Sequence, residues 1–555
     1  MRKICSSLIL LLIVLISLSS CHGSKGKLNT LVLPDEFDTS REYNITFWAK
    51  NDGNTEQVKV YNDAIARFEN IYPNINVEIR HFNSYPDIYK DVLINIGTNT
   101  TPNVCIAYPD HVATYKQGNN MVVDLTDLLE HPSYGLGGKD LKYVSVNKDE
   151  IYEKFLNEGI IEDSYYTLPF MRSSEALYIN KDYVEALGYT IPSVVTWDWI
   201  WKVSEEALKR KGDGTLPFQK SDDVLYPMIY KSTDNMYITM CKQMGIPIST
   251  AEGEVLLFSE ETKQLLLDLG KKGRYEITNK QTGNKTYESL FTTFTKVSYP
   301  GNFFNRWECI FAIDSTAGAT WLGTGATSSD SASGVDVNKP NFETVVRPVP
   351  QVDVNNPQMI SQGPSICLFN KEDPQEVVAS WIFAQFLLTD EVQLSYTKTE
   401  GYLPVTSKTN ESESFKKYLE DENHYVVKRE ATKLVLNNID NTFISPVFNG
   451  SSDVRDAGAY LIEGVCGNNT RFKNYNELDT LYTRCIEKYG LQDLINGNMT
   501  EPRKTISEEG TILLTSLLVI WIGICAYVFY DKVIKKEIIR KQRNKKENLL
   551  KWENY

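Results

Sequence analysis

Near the C-terminus, Thr511 to Tyr530 form twenty consecutive residues without a charge. As a helix, such a run spans roughly 30 Å, the thickness of a bilayer's hydrocarbon. Directly after it, residues 531–555 carry nine Lys/Arg and four Asp/Glu, a net charge of +5. A buried core helix rarely has so basic a flank on one side only. The run is therefore expected to be a transmembrane helix, 511–530, followed by a basic cytoplasmic tail, 531–555. Trp521 and Tyr530 are apolar bodies with polar tips, and Tyr530 sits where an interfacial anchor would be.

A second apolar run, Leu8 to Leu18, follows Arg2 and Lys3. It is too short to span comfortably and has the layout of a secretory signal. Leu18-Ser19-Ser20-Cys21 closes it and resembles the lipobox of bacterial lipoproteins. The resemblance implies a signal peptide over 1–20, lipidation at Cys21, and a polar tether over 21–43. Export then leaves the body outside and brings the last helix back into the membrane. The whole chain carries −14; without the tail's +5 and the signal's two positive charges, residues 4–530 carry −21. So acidic a body argues against nucleic acid as a partner.

Signs of catalysis are sparse. The five histidines (His22, His81, His111, His131 and His424) lack H-E-x-x-H spacing. No G-x-S-x-G elbow, Walker A motif or G-x-G-x-x-G is present. Of nine cysteines none forms C-x-x-C, which argues against a zinc or thioredoxin-like site. Cys105 and Cys367 sit in apolar strand-like runs as small core residues; Cys466 and Cys485 are left as a possible pair. No catalytic residue, metal site or cofactor is expected.

The body alternates strand and helix. Ile45 to Ala49 reads as a buried strand, and Asn54 with Gln57 as a capping box. Val58, Tyr61, Ile65, Phe68 and Tyr72 then form one helical stripe, and Ile75, Val77 and Ile79 alternate as a strand. A helix over about 85–96 and a strand over 103–107 complete a parallel-sheet rhythm. A second block follows. It has an extended stretch over 165–178, a helix capped by Thr196, a strand at Phe311 to Ile313, and strands over 344–349 and 365–369. Between them 328–341 is a polar loop. A last helix is capped by Asp373, with Glu376 closing a second capping box.

Four ordered motifs then identify a family. Phe68 with Tyr72-Pro73-Asn74-Ile75-Asn76-Val77-Glu78 is one. Tyr165 to Phe170 with Leu177 to Asp182 is the second. Pro192 with Thr196-Trp197-Asp198 is the third, and Gly401-Tyr402-Leu403-Pro404-Val405 the fourth. Together they resemble the bacterial extracellular solute-binding proteins of carbohydrate ABC importers, the maltose/glycerol-phosphate-binding class. The resemblance covers about residues 44 to 410. The chain departs from it at Asn103, where the family often has aspartate, and in its terminal membrane helix.

The resemblance implies an α/β, two-lobed periplasmic-binding-protein-like fold over 44–500 with ligand between the lobes. By analogy lobe one is about 44–168 and 346–395, and lobe two about 169–345 and 396–500. The crossings then fall near Leu168-Pro169 and Val346–Pro350. It also implies a carbohydrate ligand, an ABC permease partner acting with its ATPase, and a monomeric ectodomain.

A sugar site needs planar hydrogen-bonding side chains and aromatic platforms. Candidates lie at strand ends and at the implied crossings. They are Asn51 and Asp52 after the first strand, Tyr108 and Asp110 after the third, and Arg172 and Ser173 past the first crossing. Trp307, Ser315 and Trp321 surround the second-lobe strand; Gly363 sits at the return crossing and Tyr402 in the late motif. Asp52 has an Asx-turn as its alternative role. Arg172 has two: a pair with Glu175, or a bidentate grip on an acidic ligand. Trp197, at a helix start, is expected to be a packing residue.

Overall fold

The computed structural model describes residues 28, 30–51, 54–118, 120–218, 225–280, 282–293, 299–323, 326, 341–466, 475–495 and 508–552. Cys21, the signal, Asp52 and the polar loop over 328–340 lie outside the described residues. The chain divides into two units, 1–497 and 498–555.

The first unit holds two five-stranded sheets, each with its own apolar core. In the first sheet, Tyr43–Lys50 lies between Ile75–Phe82 and Val104–Ala107, parallel to both. Ser365–Leu368 then adds antiparallel to Val104–Ala107, and Leu168–Pro169 closes the edge. Val104 to Ala107 are all buried, as a strand covered on both faces requires. The Thr55–Ile71 helix buries Tyr61, Ala64, Ile65 and Phe68 against this sheet, so the predicted stripe is the packed face. Asn54 caps it, accepting the N–H groups of Glu56 and Gln57. The reciprocal half of the capping box is missing: Gln57 is buried and its Oε1 has no hydrogen-bond partner among the described residues. Glu376 also makes no capping box, because its carboxylate accepts from the Asn103 amide at 2.7 Å.

The second sheet repeats the plan. Tyr226–Tyr230 runs parallel to Phe291–Thr293 and Cys309–Ser315; Glu175–Asn180 is antiparallel to Cys309–Ser315, and Thr344–Pro348 pairs beyond it. Thr196 caps the Trp197–Gly212 helix, and Trp197 is a packing residue, stacked on Trp201 at 5.6 Å.

The lobe boundaries differ from those implied by resemblance. Thr344–Pro348 belongs wholly to the second sheet and Val349 and Met359 are buried in the second lobe's core, so the return crossing falls at about 360–364 rather than 346–350. Tyr396, Tyr402, Leu403, Phe415 and Leu419 pack in the first lobe's core, and the Val426–Leu436 helix straddles both, with Val427, Ala431 and Leu434 in the second core and Val435 in the first. The exchange expected at 396 therefore falls between 419 and 448, because the aromatic side chains up to Tyr418 fill the first core. The chain crosses three times, and the crossing segments pair with one another. Ser173 bridges Gln362, and Met359–Ile360 lies parallel to Thr442–Phe443.

Cys466 and Cys485 are both free thiols. Each faces a backbone carbonyl, of Phe291 and Ala457 respectively, at 3.7 Å, so the possible pair does not form.

In the second unit, helix Glu508–Phe529 continues through one π turn, Tyr530–Ile534, into helix Lys535–Trp552. It is long and apolar enough to cross a membrane. Tyr530 does not end it; the basic segment is its helical continuation.

Candidate ligand-binding cleft

A cavity of about 310 Å³ opens where the two lobes meet the crossing segments. The first lobe contributes a strand end. After Val104–Ala107 the chain turns at Tyr108, and Pro109 starts a short helix. Tyr108 and Asp110 thus point beyond the sheet's carboxyl edge, as strand-end logic requires. Tyr85, from the start of the preceding helix, lies against Tyr108 with ring centroids 4.5 Å apart. Asp110 Oδ1 accepts the backbone N–H of His111 at 3.1 Å. Burial holds the His111 imidazole below its ordinary value despite Asp110 beside it, so it is neutral at pH 7.

The second lobe contributes the equivalent strand end. Tyr226–Tyr230 leads into the Thr233–Gln243 helix, whose first turn carries Asp234 and Asn235. The third wall is the Ser451–Val465 helix. Its Arg455 donates from Nη2 to Asp234 Oδ2 at 2.7 Å and to Asn235 Oδ1 at 2.5 Å. Arg455 Nε also lies 3.7 Å from Asp110 Oδ2 in the opposite lobe. One guanidinium therefore joins both strand ends across the cleft.

At the back of the cavity, Gln362 organises the crossings. Its backbone exchanges hydrogen bonds with Ser173, at 2.7 and 3.0 Å. Its side chain accepts from Asn235 Nδ2 at 2.9 Å and donates to Ser315 Oγ at 3.3 Å. Beneath this layer Tyr230 donates to Glu175 at 2.5 Å. Full burial pushes the Glu175 carboxyl up to about 8.

Of the predicted site residues, Tyr108, Asp110 and Gly363 line the cavity. Ser173 and Ser315 hold Gln362 from either side instead of lining it. The remaining described candidates stand elsewhere. Asn51 is buried in a turn, its N–H donating to Phe82. Tyr402 is buried behind Tyr85, with which it shares a hydrogen bond. Trp307 packs between Phe218 and Phe342 in the second lobe's aromatic core, at 4.6 and 4.9 Å. Trp321 ends a 3₁₀ turn, half-buried, and is not part of the cavity wall.

Arg172 corrects both sequence alternatives. It is 1% exposed and pairs through Nε with Glu158 at 2.9 Å. Its Nη1 donates to the carbonyls of Met171 and Pro364. It is a buried brace of the crossing segments, neither a partner of Glu175 nor an anion ligand. Glu158 is the member of the pair that reaches the cavity; burial raises its carboxyl, and Arg172 opposes that rise. Gly363 is required by the crossing rather than by a ligand. Its φ is +143°, and a Cβ there would meet the Met171 carbonyl at 2.4 Å.

Sequence reasoning missed Tyr85, Glu158, Asp234, Asn235, Gln362 and Arg455. Asp234 carries the same strand-end signal as Asp110, but Pro227 inside the strand obscures it. Nothing local marks Arg455, which lies 345 positions beyond Asp110.

Two α/β lobes, joined by three crossing segments and enclosing a polar, tyrosine-lined cavity, define a two-lobed solute-binding protein. The chain belongs to the bacterial extracellular solute-binding protein family, whose model matches residues 63–421. Among solved structures it is similar to UgpB from Mycobacterium tuberculosis in complex with glycerophosphocholine. The TM-score is 0.59 at 13% identity, covering 82% of this chain and 99% of that one. It is also similar to the sugar-binding protein MalE from Xanthomonas citri, with TM-score 0.57, 15% identity and coverage of 83% and 100%. A third is the GacH receptor of Streptomyces glaucescens, solved unliganded and with acarbose: TM-score 0.55, 14% identity, coverage of 82% and 99%. Identities this low show the fold alone. No curated protein matches the chain in sequence.

Proposed function

We propose that this chain is the carbohydrate receptor of an ABC importer, capturing a sugar outside the cell and presenting it to a membrane permease. The observation that carries the reading is the cavity itself. Tyr85 and Tyr108 offer apolar ring faces, while Asp110, Asp234, Asn235 and Arg455 offer planar hydrogen-bonding groups from both lobes. That combination suits a ring of hydroxyls with a C–H face. The volume is at the small end of ligand pockets, which run from about 300 to 1,000 Å³, and suits a sugar of one or two rings. Nothing in this reading requires catalysis.

Cys21 is the proposed lipid anchor, and the Glu508–Trp552 helix the second attachment, its basic end cytoplasmic. A second reading rests on that basic helical end, which a freely diffusing receptor does not need: a surface sensing or interaction protein with the same binding fold. Capture with the full chain separates them, since permease subunits support transport, and a cell-wall or signalling partner supports sensing.

The binding reading is tested by thermal-shift screening of the full-length protein in detergent against mono- and disaccharides. A ligand-dependent rise in Tm is expected, with Kd around micromolar, about −8 kcal/mol. Tyr108→Ala should weaken binding about tenfold, and Trp321→Ala should leave it unchanged. No shift with any sugar would refute a carbohydrate receptor.

A further inference from the structure

One short segment of the first lobe holds all three crossings. The Glu153–Asn157 helix buries Phe155 and Leu156 in the first core. At the first crossing Arg172 pairs with Glu158 at 2.9 Å, and its Nη2 donates to the Phe155 carbonyl at 3.3 Å. At the second, the Ser361 hydroxyl donates to the other carboxylate oxygen of Glu158. At the third, Lys154 Nζ donates to the carbonyls of Ile439 and Asp440, at 3.1 and 3.0 Å. Residues 154–158 thus reach every segment that joins the lobes.

Close to each of these ties the chain engages the second lobe instead. Ser174 donates its N–H to Thr316 Oγ1 at 3.2 Å and accepts the Thr316 N–H at 2.8 Å. Gln362 reaches Asn235 and Ser315. Phe443 packs with Ile238 of the Thr233–Gln243 helix. A backbone gripped on both sides of so short a span can bend only between the grips. Those spans are 173, the 361–362 junction and 441–442. They are also hydrogen-bonded to one another. Ser173 pairs with Gln362, and the Ser361 N–H donates to the Phe443 carbonyl at 2.7 Å. The three bends therefore lie side by side. Glu158 and Ser361 line the cavity as well, so an occupant rests on the same groups that grip the crossings.

We propose that the 154–158 segment is the fulcrum of the molecule. Glu158 and Lys154 are its positioning residues: they fix the three crossings to the first lobe, so that the lobes turn about one axis. The proposal is independent of which solute the cleft takes.

The test is the distribution of distances between two spin labels on the full-length protein in detergent. The labels are introduced through non-canonical amino acids at Asp63 on the first lobe and Lys209 on the second, both exposed. Lys154→Met keeps the apolar stem and frees only the third crossing. It should widen the ligand-free distribution at least about twofold, because a loosened hinge samples more angles. Glu158→Ala frees the first two crossings and should widen it further. Lys154→Arg, with donors for both carbonyls, should restore the wild-type width. Saturating maltose or glucose, where the wild type binds it, should give a second narrow peak. Both widening variants should weaken that binding at least about fivefold, since a smaller fraction of the protein is competent to close. Wild-type widths in Lys154→Met and Glu158→Ala overturn the proposal even where Tm falls, because a merely structural role moves Tm alone. Lys154→Met decides by itself if Glu158→Ala fails to fold. Absence of sugar binding to the wild type refutes the receptor reading only, since the ligand-free widths still decide the fulcrum.

Discussion

Asn103 shows how one amide can bind sequence to fold. Its Oδ1 accepts from the backbone N–H of Thr46 at 3.0 Å, and its Nδ2 donates to Glu376 at 2.7 Å. It is 3% exposed. The departure from aspartate is thus matched by a carboxylate that needs a donor. Asn103→Asp would set two carboxylates together and is expected to cost about 2 kcal/mol, read as a lower midpoint in urea unfolding. Asn103→Asp with Glu376→Gln should recover most of that loss.

Glu175 makes a second residue-scale case. Its folded value of about 8 lies above the ordinary 4.5, so the folded protein holds the proton more tightly than the unfolded chain. Its contribution is fully present below pH 4.5 and is lost as pH rises through about 8. Glu175→Gln should therefore match the wild type in Tm near pH 4.5 and exceed it at pH 8. Equal Tm differences at both values would show that Glu175 ionises freely in the fold. At this scale, Tyr108 and Asp110 were legible because a strand end is a local pattern. Arg172 was misread because a guanidinium beside a crossing has the same sequence whether it faces ligand or carbonyls.

Among the elements, those of the first lobe up to Ala107, and in the second lobe the Thr196-capped helix and the strands near 311–313 and 344–349, followed from period and caps. The Thr55–Ile71 helix buries its predicted stripe, and the Tyr85–Ile96 helix starts and stops where expected. What stayed hidden was partnership between elements. The Ser451–Val465 helix buries Val454, Ala457, Leu461 and Ile462 in the second lobe. That packing alone turns Arg455 towards Asp110 and Asp234, and no periodicity reveals it. Arg455→Ala should abolish cross-lobe bridging, and calorimetric titration should show sugar binding weakened at least tenfold. The apolar face of that helix is untouched, so Tm without ligand should fall by only a few degrees. Arg455→Lys should recover little, because a point charge cannot serve Asp110, Asp234 and Asn235 together. The cysteines carry a simpler expectation: with Cys466 and Cys485 unpaired, Tm with and without reductant should agree.

For the whole molecule, the crossing segments are the working part. Gln362 ties Ser173, Ser315 and Asn235 into one polar seam, and Gly363 lets the strands pass at van der Waals distance. Hinge closure around ligand is expected to reduce the radius of gyration in small-angle scattering. Gly363→Ala should weaken both stability and closure, because its Cβ has no room against Met171. An unchanged scattering curve on saturation with sugar would mean that the lobes do not move.

Three crossings, rather than two, also fix where the body's ends emerge. Leu31, Leu33 and Phe37 pack on the first lobe, and Leu494 and Ile495 on the second. An odd number of passes must begin on one lobe and finish on the other. On the proposed double attachment, one leash would leave each jaw, and the distance between the leashes would change as the jaws shut. Lateral strain in the membrane and occupancy of the cleft would then be terms in one equilibrium.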